Sequence, residues 1–303
     1  MCLWAKSDIG MSSDNLKLMG KVALVTGASQ GLGFNIAQRF VAEGASVAIC
    51  ARSLADLEHA EAQLRANLRK DQQLLALCCD VSAIAEVDRM FQQLLDRFGT
   101  LDVVVSNAGI YGPLGPIDEV NWDEWLQAIA INLSGAAYVL RKSVMIMKPQ
   151  GFGKIIQLSG GGATQPHPFA NSYAASKAAI VRLAETIAEE LKGMGIEINS
   201  IAPGALNTRL FEQILEAGPK LVGQSFYDRT LKQKETGGAG FDDAVDLAIF
   251  LASSASDGIS GKLISAVWDK WVEFPGQIDA LASSDVFTLR RITEQERPTA
   301  FGK

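Results

Sequence analysis

Short apolar runs alternate with longer amphipathic stretches along most of this chain. Each run reads as a strand that is apolar throughout, and such strands occur where both faces of a sheet are covered. Helices between consecutive strands cover both faces and make the strands parallel. The sequence therefore predicts an α/β fold, a doubly wound (Rossmann-type) seven-stranded parallel sheet with helices on both faces. The predicted strands lie within 21–26, 45–50, 73–80, 101–109, 153–160, 195–204 and 261–268.

The chain divides into one domain and two extensions. The alternating pattern runs over 20–270, and neither an internal repeat nor a low-complexity linker interrupts it. Residues 1–19 form an N-terminal extension that lacks the apolar segment of a signal peptide. Residues 271–303 form a C-terminal extension. Within the domain, the stretch 205–240 combines apolar residues with glycine-rich breaks, which predicts a lid.

Charge, hydrophobicity and cysteine content indicate which partners and which compartment to expect. The net charge is −6 and no basic stripe occurs, so we expect no nucleic-acid partner. No apolar run reaches the ~18 residues of a membrane span, so we expect no membrane association. The four cysteines form no CxxC pair and the two histidines are far apart, so we expect no metal site. Unpaired cysteines within apolar runs indicate a reducing compartment, and we expect a cytoplasmic protein.

A glycine-rich turn, TGASQGLG at 26–33, follows the first strand and opens the first helix. Its glycines, Gly27, Gly31 and Gly33, have the spacing G-x3-G-x-G. Glycine permits a close approach of the backbone, and the helix N-terminus supplies N–H donors to a phosphate. The turn therefore predicts a dinucleotide phosphate site, although an ordinary strand-to-helix turn can have the same pattern.

A tyrosine and a lysine stand four residues apart in YAASK at 173–177. In a helix, Tyr173 and Lys177 share one face, and only small residues lie between them. The ammonium favours the phenolate, so we expect Lys177 to lower the pKa of Tyr173 and make it a general acid/base. A Tyr–Lys pair on the surface of a helix would show the same spacing.

Five motifs occur in order, at strand ends or helix starts. They are TGASQGLG at 26–33, NAG at 107–109, Asn132, YAASK at 173–177 and APGALNT at 202–208. The ordered set resembles the compact, single-domain branch of the short-chain dehydrogenase/reductase family over residues 20–265. The resemblance implies a dinucleotide-dependent oxidoreductase that interconverts a small-molecule secondary alcohol and a ketone. Two alternatives on this fold remain open, a catalytically weak dinucleotide-binding sensor or scaffold, and a dehydratase or epimerase.

The resemblance assigns catalytic roles to four side chains. Tyr173 is the general acid/base, and Lys177 also binds the nicotinamide ribose. Asn132 lies at a bend in its helix and holds a water that relays protons, unless it only bonds locally. The fourth is a serine at the end of the fifth strand that binds the substrate carbonyl.

The position of that serine is ambiguous. Counting along the strand from Gly153 gives Gly160, whereas Ser159 is the nearest hydroxyl. Because strand side chains alternate, Ser159 reaches the site only if a bulge shifts the register. We predict that bulge and assign the role to Ser159, with Thr164 and Ser172 as substitutes. If Gly160 fills the position instead, Gly160→Ser is expected to restore or raise activity.

Cofactor choice depends on the end of the second strand. Ala51 replaces the acidic residue that binds the ribose hydroxyls of NAD(H) in family members, and Arg52 follows it. A guanidinium can pair with a 2′-phosphate, so NADP(H) is favoured over NAD(H). The neutral Gln30 occupies a second position that would otherwise be basic, which makes the preference mild. The alternative is that Arg52 is only the solvated start of a helix.

The resemblance also predicts a set of cofactor contacts. The glycine-rich turn holds the pyrophosphate, and residues after the third and fourth strands contact the adenine and ribose. The loop after the sixth strand contacts the nicotinamide amide. These residues are Gly27, Ser29, Gln30, Gly31, Leu32, Gly33, Arg52, Asp80, Val81, Asn107, Ala108, Gly109, Tyr173, Lys177, Pro203, Gly204, Leu206 and Thr208.

Other residues are candidates for the substrate pocket or for subunit contacts. His167 precedes the YAASK motif and Tyr111 follows the NAG motif, so both could border the pocket. Trp268 and Trp271 could seal the site or an interface, or simply pack in the core. Members of the family usually pair long apolar helices such as 178–191, so we expect a homodimer or homotetramer.

Overall fold

The computed structural model describes residues 16–237, 240–294 and 296. Its strands are β1 Val22–Thr26, β2 Ser46–Ala51, β3 Leu74–Cys78, β4 Val103–Ser106, β5 Gly153–Leu158, β6 Ile196–Ala202 and β7 Leu263–Ser265. The order across the sheet is β3-β2-β1-β4-β5-β6-β7, and every neighbouring pair is parallel. The predicted seven-stranded parallel sheet is confirmed.

Helices lie on both faces of the sheet. They are α1 Gly31–Ala42, α2 Leu54–Arg65, α3 Ile84–Phe98, α4 Trp122–Ile129, α5 Ala136–Gln150, α6 Asn171–Glu190, α7 Arg209–Ala217, α8 Pro219–Val222, α9 Gln224–Thr236, α10 Asp242–Ala252 and α11 Ile278–Ala282. One core packs α1, α2 and α10 against the sheet, and a second packs α3, α5 and α6 against the opposite face. The predicted doubly wound, single-domain architecture is therefore also confirmed.

The composition of the inner strands explains this two-sided burial. β1 reads VALVT and β4 reads VVVS, and every residue of both is buried. Successive side chains enter opposite cores: Val25 packs with α1, whereas Leu24 packs on the side of α3. Since neither strand has a polar face, the sheet is stable only when covered on both sides.

The strand order reverses between β1 and β4. The chain moves outwards from β1 to β3 and then crosses to the other side of β1. Loops at the carboxyl ends of β1 and β4 therefore diverge and leave a crevice, where ligands bind in sheets of this kind. The glycine-rich turn follows β1 and the NAG motif follows β4, so the fold brings these motifs together.

A π-helical turn, Ala130–Gly135, joins α4 to α5 in one continuous helix, Trp122–Gln150. Asn132 lies in this turn, and π-turns frequently mark functional sites. By length and composition alone this helix could cross a membrane. It was not predicted from the sequence, because its apolar residues do not form one long run. Core helices meet the same weak criterion, and this one packs against β4, β5 and α6. The expected lack of membrane association stays a prediction.

The predicted lid holds α7, α8 and α9, between β6 and α10. Residues 238 and 239, near its end, lie outside the described part of the chain. Most of the predicted N-terminal extension, 1–15, also lies outside it. Leu18 is fully buried, and its N–H donates to the Glu43 carbonyl oxygen at 3.0 Å, so the described end of that extension packs on the domain.

The C-terminal extension packs along β7 and α6. The N–H of Leu263 donates to the carbonyl oxygen of Phe287 at 2.7 Å, and Lys262 Nζ donates to two carbonyl oxygens of the same segment. Glu185 on α6 accepts the N–H of Leu289 at 2.6 Å. The tail therefore covers part of the α6 surface that the sequence suggested for subunit pairing, and the homo-oligomer stays a prediction.

Candidate active site

A cleft of about 910 Å³ lies at the carboxyl ends of the strands. Its lining includes Arg52 after β2 and Tyr173 on α6. Every predicted cofactor residue except Gly33 lines it, as does every predicted catalytic residue except Asn132. Residues from motifs scattered along the chain thus share one cavity.

The glycines of the first turn are required by close backbone contacts. Gly27 has φ +63°, and a Cβ there would lie 2.8 Å from the Cα of Ala108. A Cβ on Gly33 would overlap the Asn107 amide and lie 2.5 Å from the Gly27 carbonyl oxygen. Gly33 therefore serves the packing of α1 on the turn, which explains why it does not line the cleft.

The turn has the form of an anion site. α1 begins at Gly31, and no side chain caps its first turn. The N–H groups of an uncapped first turn are available to a ligand, and the helix dipole favours negative charge there. The close-packed glycines and these free donors fit the pyrophosphate of a dinucleotide.

A threonine absent from the predicted site links the two central motifs. Thr26 Oγ1 accepts the backbone N–H groups of Asn107 at 3.0 Å and Ala108 at 3.1 Å. In return, Asn107 Nδ2 donates to the carbonyl oxygens of Thr26 at 2.9 Å and Gly27 at 3.0 Å. Asn107 thus shapes the turn rather than only lining the ribose region. The signal in the sequence was a hydroxyl residue at the last position of β1.

Arg52 and two of its neighbours line one region of the cleft. Ser53 caps α2 by accepting the N–H of Asp56 at 3.3 Å, which fixes the backbone directly after Arg52. The Arg52 side chain is exposed and forms no ion pair with another described residue. It is therefore free to contact a ligand phosphate, although the Asp56 carboxyl group also lines this region.

Tyr173 and Lys177 lie on α6, and only 8% and 5% of their surfaces are exposed. Lys177 Nζ donates to the Leu158 carbonyl oxygen at 2.8 Å and lies 5.6 Å from the centre of the Tyr173 ring. The spacing predicted this pairing on one helix face, but a surface pair was the alternative. Their burial beside the cleft excludes that alternative.

Burial shifts both groups toward their neutral forms. It raises the pKa of Tyr173 well above its usual value, with a further increase from Tyr111. It lowers the pKa of Lys177 to about 8. The expected lowering of the Tyr173 pKa by Lys177 is therefore not found in this structure, where burial sets the direction of the shift. At neutral pH, Tyr173 is a phenol that can donate a proton.

Asn132 bonds across the chain rather than within its own helix. Its Oδ1 accepts the N–H of Ile110 at 2.9 Å, and its Nδ2 donates to the Ile110 carbonyl oxygen at 2.8 Å and to Ser176 Oγ at 3.1 Å. A Cβ on Gly109 would lie 3.3 Å from Asn132 Oδ1 and 3.6 Å from Lys177 Nζ. Asn132 therefore fixes the segment after β4 beside Lys177, and its role in a proton relay stays a prediction.

The bulge predicted before Ser159 is absent. β5 pairs with β6 one residue to one from Gly153 to Leu158, and the N–H of Ser159 continues the ladder by donating to the Ile201 carbonyl oxygen at 2.9 Å. Ser159 Oγ is sealed from solvent and has no hydrogen-bond partner among the described residues. Without the bulge, Ser159 is buried beside the cleft but its hydroxyl bonds neither Tyr173 nor any other described residue, so its assignment as the carbonyl donor needs correction.

Gly160 is the residue that faces the tyrosine. A Cβ built on Gly160 would overlap the Tyr173 hydroxyl oxygen and lie 3.0 Å from its Cζ. The Tyr173 hydroxyl therefore occupies the space that a side chain at position 160 would need. Neither Ser159 nor Gly160 places a hydroxyl beside it.

An aromatic wall, formed by Tyr111, His167, Tyr173 and Phe226, borders the cleft. The ring centres of Tyr111 and Tyr173 lie 4.6 Å apart, and those of His167 and Phe226 also lie 4.6 Å apart. Phe226 belongs to α9, so the lid contributes directly to the cleft. Trp268 also lines the cleft with 84% of its surface exposed, so it borders the site without sealing it.

The chain was also compared with sequence models of known protein families. The family model for short chain dehydrogenases matches residues 21–218. The chain belongs to this family. Among its curated relatives, galactitol 2-dehydrogenase of Agrobacterium fabrum is 31% identical over 263 residues, which are 85% of this chain and 100% of the relative.

Solved structures of short-chain dehydrogenases share the fold. NAD⁺-bound xylitol dehydrogenase matches with a TM-score of 0.75 and 28% identity, over 82% of this chain and 98% of that one. A gluconate 5-dehydrogenase from Burkholderia cenocepacia, in complex with NADP and tartrate, matches with a TM-score of 0.72 and 28% identity, over 83% and 95%. This short-chain dehydrogenase is therefore an oxidoreductase with a dinucleotide-binding fold, and these two similar structures hold NAD⁺ in one case and NADP in the other.

In this short-chain dehydrogenase, Gly160→Ser is expected to lower turnover about 10–10²-fold, because the new side chain collides with the hydroxyl of Tyr173, the general acid/base that the family resemblance implies. This reverses the expectation from sequence that a serine at 160 restores activity. Steady-state rates with a ketone and NADPH measure the effect. Gly161→Ser is the matched control, since a Cβ there meets no atom within 4 Å. An unchanged or higher rate for Gly160→Ser would show that Tyr173 yields to the serine.

Proposed function

We propose that this protein is an NAD(P)-dependent oxidoreductase that interconverts a secondary alcohol and a ketone, with Tyr173 as the general acid/base. The observation that carries the proposal is that Tyr173 and Lys177, buried one turn apart on α6, line the same cleft as the glycine-rich turn. A dinucleotide on that turn and a substrate in the remaining cleft would meet at these two side chains.

When bound, the nicotinamide supplies a hydride to the ketone carbon or accepts one from the alcohol carbon. In the reductive direction, the neutral phenol of Tyr173 gives its proton to the oxygen that gains charge. The ammonium of Lys177 is present below a pKa of about 8, and it stabilises the phenolate that the transfer leaves. In the oxidative direction, the phenolate takes the proton back.

The chain offers a continuous set of cofactor contacts. The uncapped first turn of α1 would hold the pyrophosphate, and the segment 107–109 would line the ribose. The loop 203–208 would contact the nicotinamide end, where it lines the cleft near α6. Lys177 would bind the nicotinamide ribose hydroxyls.

NADP(H) is proposed as the preferred cofactor. Arg52 lines the cleft, is exposed and has no ion pair among the described residues, so its guanidinium is available for a 2′-phosphate. The carboxyl group of Asp56 nearby opposes a second negative charge, which supports a mild preference.

Arg52→Ala is expected to weaken NADPH binding by about 1.5–3 kcal/mol, the contribution of a hydrogen bond to a charged group. NADH binding should barely change, since NADH has no 2′-phosphate. Fluorescence titration of the purified protein measures both affinities. Arg65→Ala, which removes an exposed arginine paired with Glu61 on α2, is the control. Equal losses for the two cofactors would show that Arg52 does not bind the 2′-phosphate.

The aromatic wall favours a substrate with an apolar or flat face. Tyr111, His167 and Phe226 present rings to the cleft, and Phe211 and Leu206 add apolar surface. An open-chain polyol needs a hydrogen-bond partner for each hydroxyl, and a wall of rings provides few. We therefore propose cyclic or aryl ketones and their alcohols as the substrate class.

The test is a panel of cyclic ketones, aryl ketones and open-chain polyols, followed through the absorbance of the reduced nicotinamide. Turnover with cyclic or aryl ketones supports the proposal, and preferential turnover of polyols contradicts the substrate class alone. Tight NADPH binding without turnover of any compound would favour the sensor or scaffold. Loss of water or inversion of a centre, without net change in cofactor, would favour the dehydratase or epimerase.

A further inference from the structure

A second donor at the substrate oxygen stabilises the charge that develops during reduction of a ketone. A single hydrogen bond from Tyr173 leaves half of the oxygen's accepting capacity unused as negative charge develops. Gly160 has no side chain, and the hydroxyl of Ser159 is sealed from solvent and bonds no described residue. A second side-chain donor would therefore come from another residue of the cleft lining.

Tyr111 carries a free donor on a ring that packs directly against Tyr173. The two ring centres lie 4.6 Å apart, with the ring planes tilted by 52°. Both residues line the cleft, and neither hydroxyl has a hydrogen-bond partner among the described residues. His167 is a poorer candidate, because its ring centre lies 6.5 Å from Tyr173 and its Nε2 is sealed from solvent.

The backbone around Tyr111 is held in place on both sides. The amide of Asn132 bonds both the N–H and the carbonyl oxygen of Ile110. Ser172 Oγ, one residue before Tyr173, donates to the Tyr111 carbonyl oxygen at 3.2 Å. Gly112 has φ +72°, and a Cβ there would lie 2.6 Å from the Cβ of Ala128. Such fixed donors are the kind that stabilise developing charge without reorganisation.

We propose that Tyr111 is a second phenol donor to the substrate oxygen, in the place of the serine that this chain lacks there. The inference rests on the proposed function. During reduction, the O–H bond of Tyr173 breaks and its proton moves to the substrate oxygen, which leaves a phenolate on Tyr173. Tyr111 keeps its proton and donates only a hydrogen bond.

The environment of Tyr111 suits a donor that never ionises. Burial raises the pKa of Tyr111 to about 12. Its hydroxyl therefore stays protonated across the pH range in which Lys177 loses its charge. The contribution of Tyr111 to turnover should accordingly be constant while other groups titrate.

The experiment compares Tyr111→Phe with Ser159→Ala in the full-length protein, using a ketone from the panel and NADPH. Tyr111→Phe keeps the ring on Tyr173 and should lower kcat about 10²-fold, with a KM change below about threefold. NADPH affinity should be unchanged, and the loss should be constant from about pH 6 to pH 9. Ser159→Ala should stay within about twofold of the unmodified protein, since its hydroxyl forms no hydrogen bond among the described residues.

Tyr111→His restores an N–H donor on a ring and should regain part of the lost kcat. A Tyr111→Phe rate within about threefold of the unmodified protein, or an equal loss in Ser159→Ala, would overturn the role of Tyr111 alone. A His variant no better than the Phe variant would also count against it, because a packing role predicts no recovery. Absence of turnover in the unmodified protein would instead contradict the proposed function together with this inference. Thermal melts of each variant verify the fold.

Discussion

Tyr173→Phe is expected to lower turnover about 10³–10⁴-fold while leaving NADPH affinity nearly unchanged. The substitution removes only the hydroxyl that we propose transfers the proton, and the phenyl ring keeps its contact with Tyr111. The proposed pyrophosphate contacts lie at the first turn of α1, and Lys177 is unchanged as the proposed ribose ligand. Ketone reduction followed through nicotinamide absorbance gives the rate, and fluorescence titration gives the affinity.

Tyr138→Phe provides a matched control for that experiment. Tyr138 lies on α5, where its hydroxyl donates to Asp88 Oδ1 at 2.9 Å, and it does not line the cleft. Its loss should leave turnover within about twofold. If Tyr173→Phe kept a rate within about tenfold of the unmodified protein, Tyr173 would not be the proton donor.

Lys177→Met is expected to lower turnover about 10³-fold and at the same time raise stability. Turnover falls because the phenolate left on Tyr173 loses its neighbouring positive charge in a site where little water can replace it. Stability rises because the substitution removes a buried ammonium whose pKa is lowered from 10.5 to about 8. A shift of that size corresponds to about 3 kcal/mol, and the lost bond to the Leu158 carbonyl offsets part of it. The net gain should be about 1–2 kcal/mol.

The pH dependence of this gain identifies its origin. Below a pH of about 8 both the folded and unfolded chains carry the Lys177 proton, so the full cost of burial applies. Between about 8 and 10.5 the folded chain releases the proton first, and the cost falls as pH rises. Urea denaturation should therefore show the largest difference between the two proteins near neutral pH and a smaller one near pH 10. The exposed Lys192→Met is the control, and a difference that grows with pH would contradict the explanation.

The sheet could be predicted from the sequence because the same pattern, a short run of apolar residues, recurs at each strand. Runs such as VALVT have no polar face, and only a sheet covered on both sides buries them. The π-helical turn and the exact length of β7 have no comparable pattern in the sequence. The π-helical turn at Asn132 changes the backbone hydrogen bonds of a helix whose composition is ordinary, and β7 is limited to Leu263–Ser265 within a longer predicted strand.

The residues of the candidate site could be predicted from the sequence, but the direction of their pKa shifts could not. Glycine spacing and the Tyr–Lys pair place their residues at strand ends and on one helix face, and nearly all of them line the cleft. The pKa direction of Tyr173 depends on how deeply α6 buries it, which spacing alone does not indicate. The choice between Ser159 and Gly160 depended on one residue of register, and only the ladder between β5 and β6 decides it.

The C-terminal tail changes what the last strand can offer to other chains. β7 is an edge strand, and an open edge presents N–H and C=O groups that a foreign strand can pair with. Here the Leu263 N–H donates to the Phe287 carbonyl oxygen, and the Lys262 ammonium donates to two further carbonyl oxygens of the same segment. A chain cut before residue 284 would leave that buried ammonium without its two carbonyl acceptors and open the edge to strand addition. The tail therefore covers an edge that strand addition would otherwise find open.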